Sequence, residues 1–530
     1  MPLTWLDLGV AYEIWFMLSI FEKTYTLELI SFNIKASMLN SSLITYNSDL
    51  CIFAKNNIMK FYMPYVAGEF IETSEFIPVR DKYSDNIFAK TGKANSQMLE
   101  SAISQAVLAE KKMKELSSHQ KFEILLHISK RLLEQKDYFA EIIAREAGKP
   151  LKYALIEAER ASQTFLVAAE ETKRISSELL SLDWFSHGQN KEAIIRLFPV
   201  GTVAGITPFN FPLNLVAHKV APAIAAGCPI ILKPASATPI SALELAHIIN
   251  ETSLPRGAFS VLPMNHQVSK PLIIDERIKK ISFTGSPEIG WKMKTECGKK
   301  KITLELGGNA AAIVSNSSNL TEAVGKCVTG AFAFSGQVCI HTQRIFVHQD
   351  VFSKFLKMFI EKTKQWKEGN PLSSDTDISV MIDEPNAIRV EEWIQEATSQ
   401  GATLLTGGQR KDCFVDPTVF INTQKDMKIR NEEVFGPVVC IEPYQSFEQA
   451  IQMVNDSRFG LQAGVFTNNI DEMNLAYREI DAGGILINES PTFRIDHMPY
   501  GGIKDSGLGR EGLKYAISEM CEMKVLVKPC

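Results

Sequence analysis

Five short apolar runs, at residues 203–207, 229–233, 258–262, 280–283 and 302–306, succeed one another from Gly201 onward with helical stretches between them. Strand–helix alternation of this kind points to a parallel, doubly wound sheet, because parallel neighbours have to be joined by a crossover helix. Ile240, Leu243, Ile248 and Ile249 give one crossover an apolar face, with Thr238-Pro239 expected as its cap and first helical position. A second α/β series follows Gly308, with strands expected at 311–314, 344–348, 438–441 and 484–487 and a helix over 351–366. Upstream, residues 121–135 place Phe122, Leu125, Leu126, Leu132 and Leu133 at helical spacing, and Gly148-Lys149-Pro150 supplies a stop. That stretch reads as core helix without chemistry. Residues 181–199 are alternating and charged around Gly188, which suits an exposed hairpin, and 524–528 form a short β-rich tail.

A chain of 530 residues that is 45% hydrophobic and 22% charged can bury a large core and favours two or three domains. Its net charge of -5 and lack of any long Lys/Arg run exclude a basic nucleic-acid footprint. Nine cysteines without a Cys-x-x-Cys pair read as free thiols in a reducing, cytoplasmic compartment. The nine histidines show no paired ligand spacing, so no metal is expected. Residues 1–58 differ from the rest, with apolar patches among Asn/Ser-rich stretches. The apolar stretch 5–21 carries Asp7 and Glu13 and has no positive residue before it, so neither a signal peptide nor a membrane anchor is expected. Either translation starts at Met59 or Met63, or the extension is a docking or targeting segment.

Candidate chemistry centres on Cys339, in Phe334-Ser335-Gly336-Gln337-Val338-Cys339, and Glu305, in Leu304-Glu305-Leu306-Gly307-Gly308. A free cysteine is more often a small core residue than a nucleophile. Here Ser335 and Gly336 permit close backbone approach, and a thiol of lowered pKa in that turn could attack a carbonyl. Strand alternation puts Thr303, Glu305 and Gly307 on one face, leaving Glu305 either a solvated glutamate or a water-activating base. Asn210, in Ile206-Thr207-Pro208-Phe209-Asn210-Phe211-Pro212, is a turn asparagine or an oxyanion donor. Gly285 and Ser286 close a strand and open a helix at Pro287, with Gly290 beyond, a weak anion-site pattern.

Taken in order, these strings resemble the aldehyde dehydrogenase superfamily over about residues 64–528. The resemblance implies an NAD(P)-dependent oxidation in which Cys339 forms a thiohemiacetal and then a thioester, Asn210 and the Cys339 amide hold the oxyanion, and Glu305 activates the water that releases the acid. It further implies a Rossmann-like cofactor domain at 64–180 and 200–306, an α/β catalytic domain at 307–510, and a β oligomerisation element at 181–199 and 511–530. In that element the tail would pair with another subunit of a homodimer or homotetramer. Thr207, Pro208, Phe209, Lys233, Ser236, Gly285, Ser286, Gly290, Glu433 and Phe435 are the implied cofactor contacts. Ser236 stands where NAD-preferring relatives often carry a glutamate that repels a 2'-phosphate, so NADP is expected to be used or preferred, with NAD possible.

Phe493-Arg494-Ile495-Asp496-His497-Met498-Pro499-Tyr500 looks like the lactaldehyde and non-phosphorylating glyceraldehyde-3-phosphate dehydrogenase branch, whose aldehydes are small and polar or anionic. Arg494 and His497 are the implied substrate contacts, although Arg494 could equally be a loop residue paired with Asp496. Tyr500 stands where phenylalanine is more usual. Two rivals remain: an acylating enzyme that passes the thioester to coenzyme A, which Glu305 opposes, and a silent binding protein on the same scaffold, which the intact Cys339, Glu305 and Asn210 oppose.

Overall fold

The computed structural model describes residues 59–530, and the expectations for residues 1–58 lie outside them. Eight strands form one sheet in the order Gly507–Leu508, Lys301–Glu305, Ile278–Thr284, Thr202–Ile206, Ile230–Lys233, Phe259–Val261, Tyr65–Val66 and Glu69–Phe70. The five apolar runs make its parallel centre. Their alternation feeds two cores. Val203, Ile230, Leu232, Phe259 and Val261 pack under the helices Ser118–Glu134, Leu151–Thr172, Asn214–Ala226 and Ile240–Asn250. Ala204, Ile206, Ile231, Ile281, Phe283 and Leu304 face Ser96–Glu115 and Pro287–Glu296 on the other side. Winding reverses between Thr202–Ile206 and Ile278–Thr284, and a crevice at the carboxyl ends of strands is expected there.

The helix expected at 121–135 runs Ser118–Glu134 behind a Ser117/Gln120 capping box, and Leu133 faces solvent instead of the core. A separate helix, Lys136–Ala147, ends on the left-handed Gly148. Thr238-Pro239 does not cap as expected. Pro239 sits at the cap position of Ile240–Asn250, and the buried Thr238 hydroxyl has no partner. The cap comes instead from another helix: the Glu146 carboxylate accepts from the Ile240 amide at 2.8 Å, the Ser241 amide at 3.1 Å and the Ser241 hydroxyl. Burial pushes the Glu146 carboxyl up to about 7. Glu146→Ala would strand those donors in the core, and urea unfolding is expected to show a loss of about 3 kcal/mol. Glu146→Gln, which keeps an acceptor, should lose less.

The second sheet has seven strands, in the order Thr403–Thr406, Thr418–Ile421, Val438–Tyr444, Thr342–His348, Ala310–Val314, Gln462–Phe466 and Gly484–Ile487. All neighbours are parallel except Thr403–Thr406. Gln462–Phe466 was not expected, because Gln462 and Gly464 interrupt its apolar run, yet all five residues are buried. The chain then returns to the first sheet, pairing Leu508 with Leu304 and Gly507 with Glu305, and packs the helix Leu513–Glu519 on Asn214–Ala226. A third sheet joins Glu178–Ser181, Lys191–Pro199 and Cys521–Pro529. The tail expected to pair with another subunit is paired along its whole length with Lys191–Pro199 of its own chain, and its other edge is open. Among the described residues no helix is long and apolar enough to cross a membrane.

Candidate active site

A cleft of about 350 Å³ lies where the winding reverses, bounded by residues that follow Thr202–Ile206, Ile278–Thr284 and Lys301–Glu305 on one side and by Val338, Cys339, Ile340, Glu433, Phe435, Arg494 and Tyr500 on the other. Pro208, Phe209, Asn210, Gly285, Ser286, Glu305, Cys339, Glu433, Phe435 and Arg494, all expected at the site, line it. Thr207 is buried behind this lining, its amide donating to the Lys233 carbonyl at 3.2 Å. Lys233, Ser236 and Gly290 also lie outside the lining. His497 is exposed and absent from the cleft wall, so the structure gives it no contact with a substrate there.

Cys339 is reached through a tight turn. The helix Leu320–Phe332 ends, and Phe334, Ser335 and Gly336 follow with φ of 50°, 55° and 67°. Non-glycine residues in this region cost about 1–3 kcal/mol each. Ser335 offsets part of that by donating to the Ser379 carbonyl at 2.6 Å, and Gln337 accepts from the Ile382 amide at 2.9 Å. Gly308 lies against the Cys339 carbonyl so closely that a Cβ there would collide with it. At Gly307 an added Cβ would collide with the Glu433 carboxylate. The Gly-Gly pair after Glu305 therefore serves the approach of the nucleophile's backbone and of Glu433.

The thiol was expected to be acidified, and the structure reverses this. Burial pushes Cys339 up to about 11, against an opposing hydrogen bond from Tyr500, whose hydroxyl is 3.1 Å from Sγ. Glu305 is only 3% exposed and neither carboxylate oxygen has a hydrogen-bond partner, so it is not a solvated glutamate. Burial first, and the charge of Glu511 second, hold its carboxyl well above the usual range. An orphaned, protonatable carboxyl facing a cleft is suited to taking a proton from water.

Asn210 donates from Nδ2 to the Gln337 carbonyl at 3.0 Å, and its buried Oδ1 has no partner. What fixes its loop was not anticipated. Lys149, read as part of a stop signal, donates to the Asn210 carbonyl at 2.7 Å and pairs with Glu157. Glu157 in turn accepts from the Leu213 and Asn214 amides at 3.0 and 3.2 Å. The local sequence carries no trace of this pair, since its members come from elements distant from Asn210.

Arg494 is not paired with Asp496. Its Nη2 donates to Glu511 at 3.0 Å, its guanidinium lies 3.7 Å over the Tyr500 ring, and its buried Nε has no partner. Asp496 is held by Arg160 at 2.7 Å and by His218 at 2.8 Å, and Arg160 also lines the cleft. Lys219 reaches Glu511 at 3.2 Å. Arg160, Lys219 and Glu511 were missed by sequence reasoning. A Gly-Arg-Glu-Gly string at Gly509-Arg510-Glu511-Gly512 was the available signal for the last.

The groups present fit a dinucleotide. Glu433 projects into the cleft with only the Gly308 amide, at 2.9 Å, as partner, and burial pushes it up to about 7. Ser286 precedes Pro287–Glu296 without a side-chain cap bond, leaving amides free for an anion. Lys233 is partly buried and has no ion-pair or hydrogen-bond partner for its ammonium among the described residues. No cluster of metal-ligating side chains occurs among the described residues.

Residues 70–526 match the model of the aldehyde dehydrogenase family. The 3-sulfolactaldehyde dehydrogenase of Priestia aryabhattai is 41% identical over 470 residues, covering 88% of this chain and 98% of that protein. The lactaldehyde dehydrogenase of Methanococcus aeolicus is 39% identical over 468 residues, covering 87% and 99%. Among solved structures, glyceraldehyde-3-phosphate dehydrogenase GapN of Methanocaldococcus jannaschii, complexed with NADP, superposes with a TM-score of 0.83 at 37% identity, covering 87% of this chain and 100% of that one. With a cysteine and an orphaned glutamate meeting at the switch point of a doubly wound sheet, and with this extent of likeness, the chain belongs to the aldehyde dehydrogenase family.

Proposed function

We propose that this chain oxidises a small polar or anionic aldehyde to its carboxylic acid, using NADP or NAD. The observation that carries the reading is the placement of Cys339 and the unpartnered Glu305 on opposite walls of one cleft, supplied by different sheets. Cys339 Sγ, once ionised, adds to the aldehyde carbon. The negative charge that develops on oxygen is met by Asn210 Nδ2 and the Cys339 amide. A bound nicotinamide would supply the acceptor for the hydride that this carbon loses as the thioester forms. Glu305 then removes a proton from water as it attacks the thioester, and Cys339 leaves as the thiolate. Pro208, Phe209, Gly285, Ser286, Glu433 and Phe435 hold the cofactor along the cleft, with Thr207, Lys233 and Gly290 shaping its approach.

Arg494, whose Nε has no partner, and Arg160 line the cleft and offer guanidinium donors to an anionic or hydroxylated aldehyde tail. The likeness to enzymes named for sulfolactaldehyde, lactaldehyde and glyceraldehyde 3-phosphate supports that class. Ser236 is exposed just after the Ile230–Lys233 strand and presents no carboxylate to a 2'-phosphate, which favours NADP. The open edge of Cys521–Pro529, with Met523, Val525, Leu526 and Val527 exposed, suits pairing with a second copy in a homodimer or homotetramer. A reducing, cytoplasmic setting fits the free thiols.

Absorbance of reduced cofactor, followed with NAD and NADP against lactaldehyde, glyceraldehyde 3-phosphate, sulfolactaldehyde and a plain aliphatic aldehyde, tests the reading. Turnover concentrated on a polar or anionic aldehyde is expected. Equal rates on all four would remove the assigned role of Arg494, acyl transfer to added coenzyme A would favour the acylating enzyme, and silence with every pair would favour a binding protein.

A further inference from the structure

Three features oppose ionisation of Cys339: its partial burial and the carboxyls of Glu433, from the loop ahead of Val438–Tyr444, and of Glu305, from the first sheet. The Tyr500 hydroxyl and the Arg494 guanidinium favour it, and Arg494 is held in place by Glu511. Tyr500 is the only hydrogen-bond partner of Sγ among the described residues. While the sulfur carries its proton either atom can donate, but against a thiolate only the phenol can. The bond therefore becomes charge-assisted, and about twice as strong, on ionisation. The ring is fixed for this: the Tyr500 amide donates to the Glu511 carbonyl at 3.1 Å, and the Glu511 amide returns a bond to the Tyr500 carbonyl at 2.7 Å. Ile340 and Leu461 pack with the ring, and Arg494 sits 3.7 Å over it, making the phenol a better donor.

We propose that the Tyr500 hydroxyl, polarised by Arg494 through the ring, is the donor that stabilises Cys339 Sγ as a thiolate before the aldehyde arrives. The phenol keeps its own hydrogen, and the proton lost by Sγ goes to solvent. Tyr500 thus touches the reacting sulfur and is a catalytic residue of the oxidation, a role that rests on Cys339 being the nucleophile.

The test uses the full chain without aldehyde. Iodoacetamide labelling of the Cys339 peptide, followed by mass spectrometry across pH, reads the ionisation of that one thiol. In Tyr500→Phe the midpoint is expected to rise by about one pH unit, and labelling at neutral pH to slow roughly tenfold. A second variant, with a fluorinated and more acidic tyrosine at position 500, should move the midpoint down. An unchanged midpoint in either would overturn the proposal, even if turnover fell, because a ring that only shapes the pocket does not shift a titration. A shifted midpoint in a protein silent towards every aldehyde would sink the proposed oxidation and leave the assignment of Tyr500 standing.

Discussion

Cys339→Ala is expected to lower aldehyde oxidation by at least about 10⁴-fold, because no other group in the cleft can form the covalent adduct. Among the described residues no other cysteine lines the cleft, and Cys228, Cys327 and Cys440 are buried in the core with their thiols pushed well up. Binding of NADP, followed by tryptophan fluorescence or calorimetry, should be essentially unchanged, since the groups assigned to the dinucleotide lie on Glu433, Lys233 and the Gly285–Ser286 turn. Loss of both turnover and cofactor binding would point to a collapsed turn around Phe334–Gly336 instead of a missing nucleophile. Normal turnover in the variant would remove Cys339 from the mechanism.

Glu305→Gln should separate the two halves of the reaction. Acylation of Cys339 does not need the carboxylate, so a burst of about one reduced cofactor per site is expected, followed by a steady rate reduced about 10²–10³-fold. A uniform slowing without a burst would show that Glu305 acts before the thioester forms. The sign of the pH dependence follows from burial. The base works only as the carboxylate, and its proton is held above the ordinary range, so native thioester release should rise with pH through that raised pKa. The glutamine variant should lack this limb. The same shift bears on stability: the folded protein binds this proton more tightly than the unfolded chain, so stability present below the unfolded carboxylate pKa is lost as pH rises through the folded one. Glu305→Gln removes that loss, and the variant should resist urea better than the native chain at alkaline pH.

The parallel centre of the first sheet was legible because each strand is a short apolar run bounded by turn residues, and local pattern is sufficient for that. Gln462–Phe466 was not, because a buried strand carrying Gln462 and Gly464 has no apolar period, although it is held by neighbours on both sides. At the site, Cys339, Glu305 and Asn210 could be found from their own surroundings in sequence. Lys149 and Glu157, which fix Asn210, could not, and neither could the contact between Tyr500 and Sγ. Such pairings depend on which elements meet, and nothing in the adjacent residues encodes them. Acidity was misjudged for the same reason: glycines beside a cysteine indicate close approach, but the carboxyls and apolar atoms that enclose it arrive from other segments.

The return of Gly507–Leu508 to the strand Lys301–Glu305 joins residues roughly 200 positions apart in the chain, with Leu306 also donating to the Ser506 carbonyl at 3.0 Å. Loop closure over that separation is a late event in folding, because its entropic cost is recovered only when most of the intervening structure is in place. That closure helps secure the loop bearing Arg494 and Tyr500, alongside the bonds of Asp496 to Arg160 and His218. In refolding experiments, recovery of helical signal should therefore run ahead of recovery of the reactive thiol, and an intermediate that has formed both sheets except for the Gly507–Leu508 edge strand should still be chemically inert.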